Sequence, residues 1–292
     1  SSFCLTRRLN MIASVSITVF TVLFVLTFER LDNPIIKKIF NWLPSILLAY
    51  LIPAAISFFL NQDYSQVTLH QWSKDLFIPL AIVSVMSSLS FPQLKLIGWK
   101  PIAVFFSGSL WIALFPVGFI LLFMRTDFVS DLLISQEYWK GIPPIVGSWI
   151  GGSTSQLVLK ELVACSEALF LTVLVLDNIL VNLWTIGMFQ SIQKSDRINQ
   201  FLKIKSFNPP EQITAAKENS HAPLLSFLIL LGAVFIAHVL LPTFIAKVVV
   251  LSLIGLSLGV IFKSWNYSFT LKLGSVFVLI VMSVLGLKLQ FN

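Results

Sequence analysis

The feature that most limits what this chain can become is a series of apolar runs of the length a bilayer demands. Met11–Phe28, Ile39–Leu60, Leu76–Phe91, Ile102–Phe123, Ala168–Phe189, Pro223–Leu241, Phe244–Phe262 and Leu273–Leu289 each hold 16 to 22 residues with few charges. A helix needs about 17–25 such residues to cross the hydrocarbon. A ninth run, Ile142–Cys165, is interrupted by glycines. Charged residues are only 11% of the 292 and the mean hydropathy is +0.89, whereas soluble domains carry roughly a quarter. The longest polar stretch is Gln190–His221. The chain therefore reads as a single all-α, polytopic membrane domain over residues 1–292.

The net charge of +7 does not point to nucleic acid, because the basic residues sit in short loops between apolar runs, as in cytoplasmic loops facing anionic lipid. Lys194, Arg197, Lys203, Lys205 and Lys217 make Gln190–His221 the densest basic loop, which is expected in the cytoplasm. Whether Ile142–Cys165 crosses the membrane or returns to its own side, the 20 Lys and Arg divide twelve inside and eight outside, so the charge rule does not choose. Cys4 and Cys165 are isolated thiols that imply neither a disulfide framework nor a metal site. No signal-peptide cleavage pattern is present, and a start at Ser1-Ser2-Phe3 suggests trimming or an incomplete N-terminus.

The chemistry concentrates between Trp139 and Trp184. Seven of the ten residues from Gly147 to Gln156 are Gly, Ser or Thr: Gly147, Ser148, Gly151, Gly152, Ser153, Thr154 and Ser155, with Trp149, Ile150 and Gln156 completing the run. A helix broken there survives in lipid only if it is buried in protein or lines a wet cavity. Freed N–H groups then suit an anion and freed carbonyls a cation, with the hydroxyls and the Gln156 amide as further substrate contacts. The competing explanation is a close helix crossing, which small residues permit. Pro143 and Pro144 stop a helix from running in from Trp139.

The next run carries Asp177, Asn178 and Asn182. A mid-span carboxylate costs roughly 2.5–3.5 kcal/mol on insertion scales, so Asp177 is expected to face the bundle interior, as a site for H⁺ or Na⁺ or as a structural group bonded to a neighbouring span. Asn182 lies about 140° round the helix from Asp177, so the three residues span a broad polar sector. Lys160 and Glu161 read as an interfacial pair with snorkelling side chains, Glu167 as a first-turn acid and His238 as a lone core or interfacial histidine. Pro44, Pro53, Pro79 and Pro116 fall inside apolar runs and predict kinks. No Walker loop, metal-ligand cluster or nucleophile elbow occurs, which leaves no support for an ATP-driven pump or an enzyme.

An internal echo suggests repeats. Val85-Met86-Ser87-Ser88-Leu89 recurs as Val281-Met282-Ser283-Val284-Leu285, an offset of 281 − 85 = 196 residues. On this reading residues 1–192 form a first repeat containing the broken helix, 193–221 a cytoplasmic linker and 222–292 an incomplete second repeat. The partner of the Gly147–Gly152 break would fall beyond Asn292, so the chain holds about one and a half transporter-type repeats.

The run from Trp139 to Leu202 resembles the YjcL-like integral membrane family, a domain of unknown function (819). The resemblance rests on Trp139-Lys140-Gly141, the Gly147-Ser148-Trp149-Ile150-Gly151-Gly152 break, Lys160-Glu161, Asp177 with Asn182, and Asp196-Arg197-Ile198-Asn199; Lys272-Leu273-Gly274-Ser275-Val276-Phe277 through Lys288 adds to it. That family is grouped with cation–proton antiporters and bile-acid and anion symporters. The resemblance implies two repeats with broken helices that cross the membrane, and a coupling carboxylate at Asp177. Ser155 stands where the family usually has Asn, and its second glycine-rich break has no counterpart here. Six spans between equivalent points would make the halves parallel, so inversion needs one span gained or lost.

The expected function is a secondary transporter of a small solute or ion, driven by H⁺ or Na⁺ through alternating access. The alternatives are a non-transporting membrane scaffold or an inactive transporter fragment. No cofactor is expected beyond the coupling ion. The expected partners are the lipid bilayer and the solute, with a homodimer left open. The expected location is a cell (inner) membrane in a bacterium, or a plastid membrane in a plant or alga.

Overall fold

The computed structural model describes residues 2–34, 36, 40, 43–89, 99–201, 203, 223–262 and 265–289. Nine helices carry the architecture: α1 (Ser2–Glu29), α2 (Ser45–Leu60), α3 (Ile78–Ser87), α4 (Trp99–Phe123), α5 (Ile142–Leu162), α6 (Glu167–Gln193), α7 (Pro223–Leu240), α8 (Phe244–Ile261) and α9 (Tyr267–Gly286). Among the described residues there is no strand. α1, α4, α6, α7, α8 and α9 each contain a stretch long and apolar enough to cross a membrane, and α2 is a shorter apolar helix. The protein is thus an integral, multi-pass, all-α membrane protein. α3 continues from Leu69–Trp72 through a π-helical turn at Ser73–Phe77. Most of the expected linker, with Lys205 and Lys217, lies outside the described residues, as does the side chain of Cys4.

Small residues let the central helices touch backbone to backbone. Gly255 of α8 backs onto Met86 and the Val83 carbonyl of α3, Gly274 of α9 onto Val85, and Gly286 onto the Tyr50 carbonyl of α2. Where apolar area gives no drive in lipid, this close approach is what association depends on. Val281, Met282, Ser283, Val284 and Leu285 are all buried in this core. Phe77, just before α3, stacks on Phe277 at 6.2 Å, while Val85 near the end of α3 meets Gly274. The two helices carrying the echoed pentapeptides therefore pack together and run antiparallel. By contrast α4 is apolar all round with none of its residues buried, as befits a helix bathed in lipid. Pro53 and Pro116 lie within helices; Pro44 directly precedes α2 and starts it, while Pro79 follows the π-helical turn inside the continuous helix from Leu69 to Ser87.

Contacts between helix ends establish which ends share a side. Asp75, ahead of α3, lies 3.6 Å from Lys247 in the first turn of α8. Lys288, past α9, lies 3.9 Å from Glu167, the first residue of α6. A polar cavity of about 950 Å³ joins Asp63 and His70, between α2 and α3, to the same Glu167 and Lys288. α3, α6 and α8 thus begin, and α9 ends, at one face. Gly141, at the start of α5, and Lys160, near its end, both lie against the first turns of α6, so α5 starts and ends at that face. The segment expected to cross does not cross.

Candidate functional site

α5 is a re-entrant hairpin bent at one residue. Gly152 has φ 74° and ψ −166°, a region essentially reserved for glycine, while Gly147–Gly151 on one side and Ser153–Leu162 on the other remain helical. This corrects two expectations, a crossover helix and an unwound stretch over Gly147–Gln156. A Cβ on Gly147 would stand 2.6 Å from Leu159 Cδ1 and 3.1 Å from the Ser155 backbone, although these residues lie 12 and 8 apart in sequence. A Cβ on Gly141, where the hairpin begins, would meet Val173 at 3.1 Å and Leu169 at 3.4 Å, and Lys160, near its end, binds Glu167 at 2.7 Å. Both feet of the hairpin therefore stand on the first turns of α6. Pro143 and Pro144 sit in the first turn of α5, where a missing N–H costs nothing.

The two limbs converge on one carboxylate. Ser148 Oγ donates to Asp177 Oδ2 at 2.5 Å and Trp149 Nε1 to Oδ1 at 2.8 Å. From the returning limb, Gln156 Nε2 donates to Oδ2 at 3.1 Å. Asp177 is 7% exposed and Gln156 4%. Indole and amide N–H groups can only donate, so both carboxylate oxygens act as acceptors. A mid-span carboxylate in apolar surroundings is thereby stabilised by aimed dipoles in place of water. The Trp149 ring also meets Trp184 edge to face at 6.2 Å, so the tip lies near the middle of α6.

Not every expected residue joins this centre. Asn182 Nδ2 donates to the Asn178 carbonyl at 2.9 Å and lies 3.4 Å from its side-chain oxygen, so it turns to its own helix. Ser153, Thr154 and Ser155 are half-buried just past the bend; Ser155 Oγ occupies the place a Cβ on Gly151 would take. Trp149 is the contributor that sequence reasoning missed as a ligand to the carboxylate. Its signal was an indole N–H deep in an apolar segment, which needs an acceptor.

A second charged centre binds the feet of the hairpin. Lys160 is 3% exposed and bridges Glu161 at 2.9 Å and Glu167 at 2.7 Å, with its ammonium 5.8 Å from the centre of the Phe170 ring. The snorkelling interfacial pair expected here is instead an ion triplet in which a buried lysine is held by two half-buried glutamates. Glu167 does open α6 behind the Ser166 cap, whose Oγ accepts from the Leu169 N–H, but it also takes the Tyr50 hydroxyl at 3.4 Å. Gln156 and Lys160, one turn apart on the returning limb, thus bind Asp177 and Glu167 respectively, and Glu167 also lines the 950 Å³ cavity.

Among the described residues no three His, Cys, Asp or Glu side chains gather as metal ligands would. No curated protein and no solved structure is significantly similar to the chain. Residues 15–292, nearly the whole length, match the family described as protein of unknown function (DUF819). With its broken segment, buried aspartate and echoed helices now seen in one membrane bundle, the chain belongs to that family.

Proposed function

We propose that this protein is a secondary transporter of a small solute or ion, coupled to H⁺ or Na⁺ and working by alternating access. The observation that carries this reading is the grip of both hairpin limbs on Asp177 through Ser148, Trp149 and Gln156. A cation arriving at the carboxylate competes with those three donors and loosens one limb from α6, so ion occupancy and hairpin position are linked. Re-entrant, glycine-broken segments beside an intramembrane carboxylate are the kind of element that holds cargo near the bilayer midplane. The polar cavity lined by Glu167 and Lys288 lies at the hairpin feet. On this reading the chain is not an enzyme and uses no cofactor beyond the coupling ion.

The rival is a non-transporting scaffold, favoured by the same three donors, since a carboxylate already saturated in this way can serve as a structural clamp. A thermal-shift screen of cations and metabolites at several pH values would select the ligands to test. Reconstituted into proteoliposomes, the protein should then show solute-dependent H⁺ or Na⁺ flux that Asp177→Asn abolishes while its helical content is kept. Flux unchanged in Asp177→Asn overturns the coupling role. Absence of flux in the unmodified protein, together with a large loss of stability in the variant, establishes the clamp.

A further inference from the structure

A second site lies on the lipid-facing side of the bundle, away from Asp177. An apolar groove of about 550 Å³ runs between α7 and the start of α3, walled by Leu76, Leu228, Leu231 and Phe235 and floored at Gly232. A Cβ on Gly232 would touch nothing within 4 Å, so the glycine widens the groove and is not needed for packing. From Leu228 to His238 the groove follows ten residues of α7, about 15 Å. That is the depth of one leaflet, half of a hydrocarbon core of roughly 30 Å.

One end of the groove is polar. Asp75 and His238 line it, and Lys247 stands beside both, with Nζ 3.6 Å from Asp75 Oδ1 and 3.3 Å from His238 Nδ1. An ammonium can only donate, so Nδ1 accepts and the ring proton of the neutral imidazole lies on Nε2. His238 is exposed, which leaves Nε2–H as an outward donor. Lys247 has three N–H groups and, among the described residues, these two polar neighbours. Lys74 is exposed close by, 5.7 Å over the Phe244 ring. Lys247, Lys74 and the His238 N–H stand with Asp75 at the boundary end of a chain-length apolar slot, and Lys74 also acts on Glu161.

We infer that this groove is a binding site for an anionic phospholipid. One acyl chain lies over Gly232, and the phosphate oxygens accept from Lys247 Nζ and His238 Nε2. An ammonium and an imidazole N–H at the membrane boundary are donors whose hydrogen bonds a phosphate oxygen accepts strongly. The inference needs only the membrane bundle, so it stands or falls independently of ion-coupled transport.

Native mass spectrometry of the detergent-purified chain, titrated with phosphatidylglycerol, phosphatidylcholine and diacylglycerol of identical chains, tests it. The protein should retain one phosphatidylglycerol at about five-fold lower concentration than phosphatidylcholine, with diacylglycerol weaker still. Gly232→Leu, which fills the slot, should lose all three, and Lys247→Gln should bring phosphatidylglycerol down to the level of phosphatidylcholine. Equal retention of diacylglycerol and phosphatidylglycerol by the unmodified protein overturns the inference, as does undiminished retention by Gly232→Leu. If Gly232→Leu does not fold, Lys247→Gln decides alone, and an unchanged preference for phosphatidylglycerol overturns it.

Discussion

Gly147 rests on the backbone of Ser155, with a Cβ at position 147 only 3.1 Å from the Ser155 carbonyl. In one straight helix the same two residues would be about 12 Å apart. The contact is the signature of a chain that enters the bundle, turns and leaves by the same face, and its consequences can be measured.

Topology is the most direct of them. In a background with Cys4 and Cys165 replaced by serine, single cysteines at Tyr138 and Ala164, both exposed at the feet of α5, should react with an impermeant maleimide from the same side of the membrane. Labelling from opposite sides would restore a crossing helix and remove the hairpin.

Gly152 should tolerate no side chain, for a conformational reason and not for lack of room. A Cβ there meets nothing within 4 Å, yet φ is +74°. Gly152→Ala should cost about 1–3 kcal/mol and lower the melting temperature in detergent. Gly187→Ala, equally uncrowded but at an ordinary helical position of α6, should be neutral or slightly stabilising. Equal behaviour of the two variants would deny that the bend carries strain.

The ion triplet predicts an asymmetry between breaking and replacing. Lys160→Met leaves Glu161 and Glu167 without the ammonium between them, with Lys288, 3.9 Å from Glu167, and the more distant Lys74 as partial compensation. Breaking a buried pair of this kind costs about 3–5 kcal/mol. Adding Glu161→Gln and Glu167→Gln should recover a large part of the loss, because no uncompensated charge then remains buried. Thermal unfolding of the single and triple variants checks this, and a triple variant no better than the single one counts against it.

His70, outside the membrane spans, should make stability fall in mild acid. Burial pushes its imidazole down to about 4, despite the opposing pull of the Tyr64 carbonyl 2.8 Å away, whereas the unfolded chain titrates near 6.5. Between these values the unfolded state binds more protons, so stability present above about pH 6.5 is lost as pH falls toward 4 and changes little below. The whole effect is on the order of 2–3 kcal/mol. Melting curves from pH 7.5 to 4 should slope less for His70→Gln than for the unmodified protein, and parallel slopes would remove His70 from the account.

Much of the fold could be read from residue order because lipid makes the rules strict. Apolar runs of span length had to be helices, and nearly all of them are. Asp177 had to face protein, since the hydrocarbon offers it no partner, and Gly147–Gly152 marked either a break in the helix or a close helix crossing. The course of the chain there was not legible. Charges divide twelve to eight for a crossing or a return, and the difference rests on one backbone conformation at Gly152. With α5 no longer a span, four crossings (α4, α6, α7 and α8) separate α3 from α9, and an even number leaves these two helices antiparallel, as their packing shows.

Residue order alone specifies a helical membrane protein with a glycine-rich interruption and a buried acid, because desolvating a backbone or a carboxylate is costly wherever it occurs in the fold. Which groups meet that acid, the enclosure of Lys160 by two glutamates and the return of α5 on itself come from packing. These are pairings between residues far apart in the chain. They depend on how helices pack against one another, and no local pattern of residues encodes that distance.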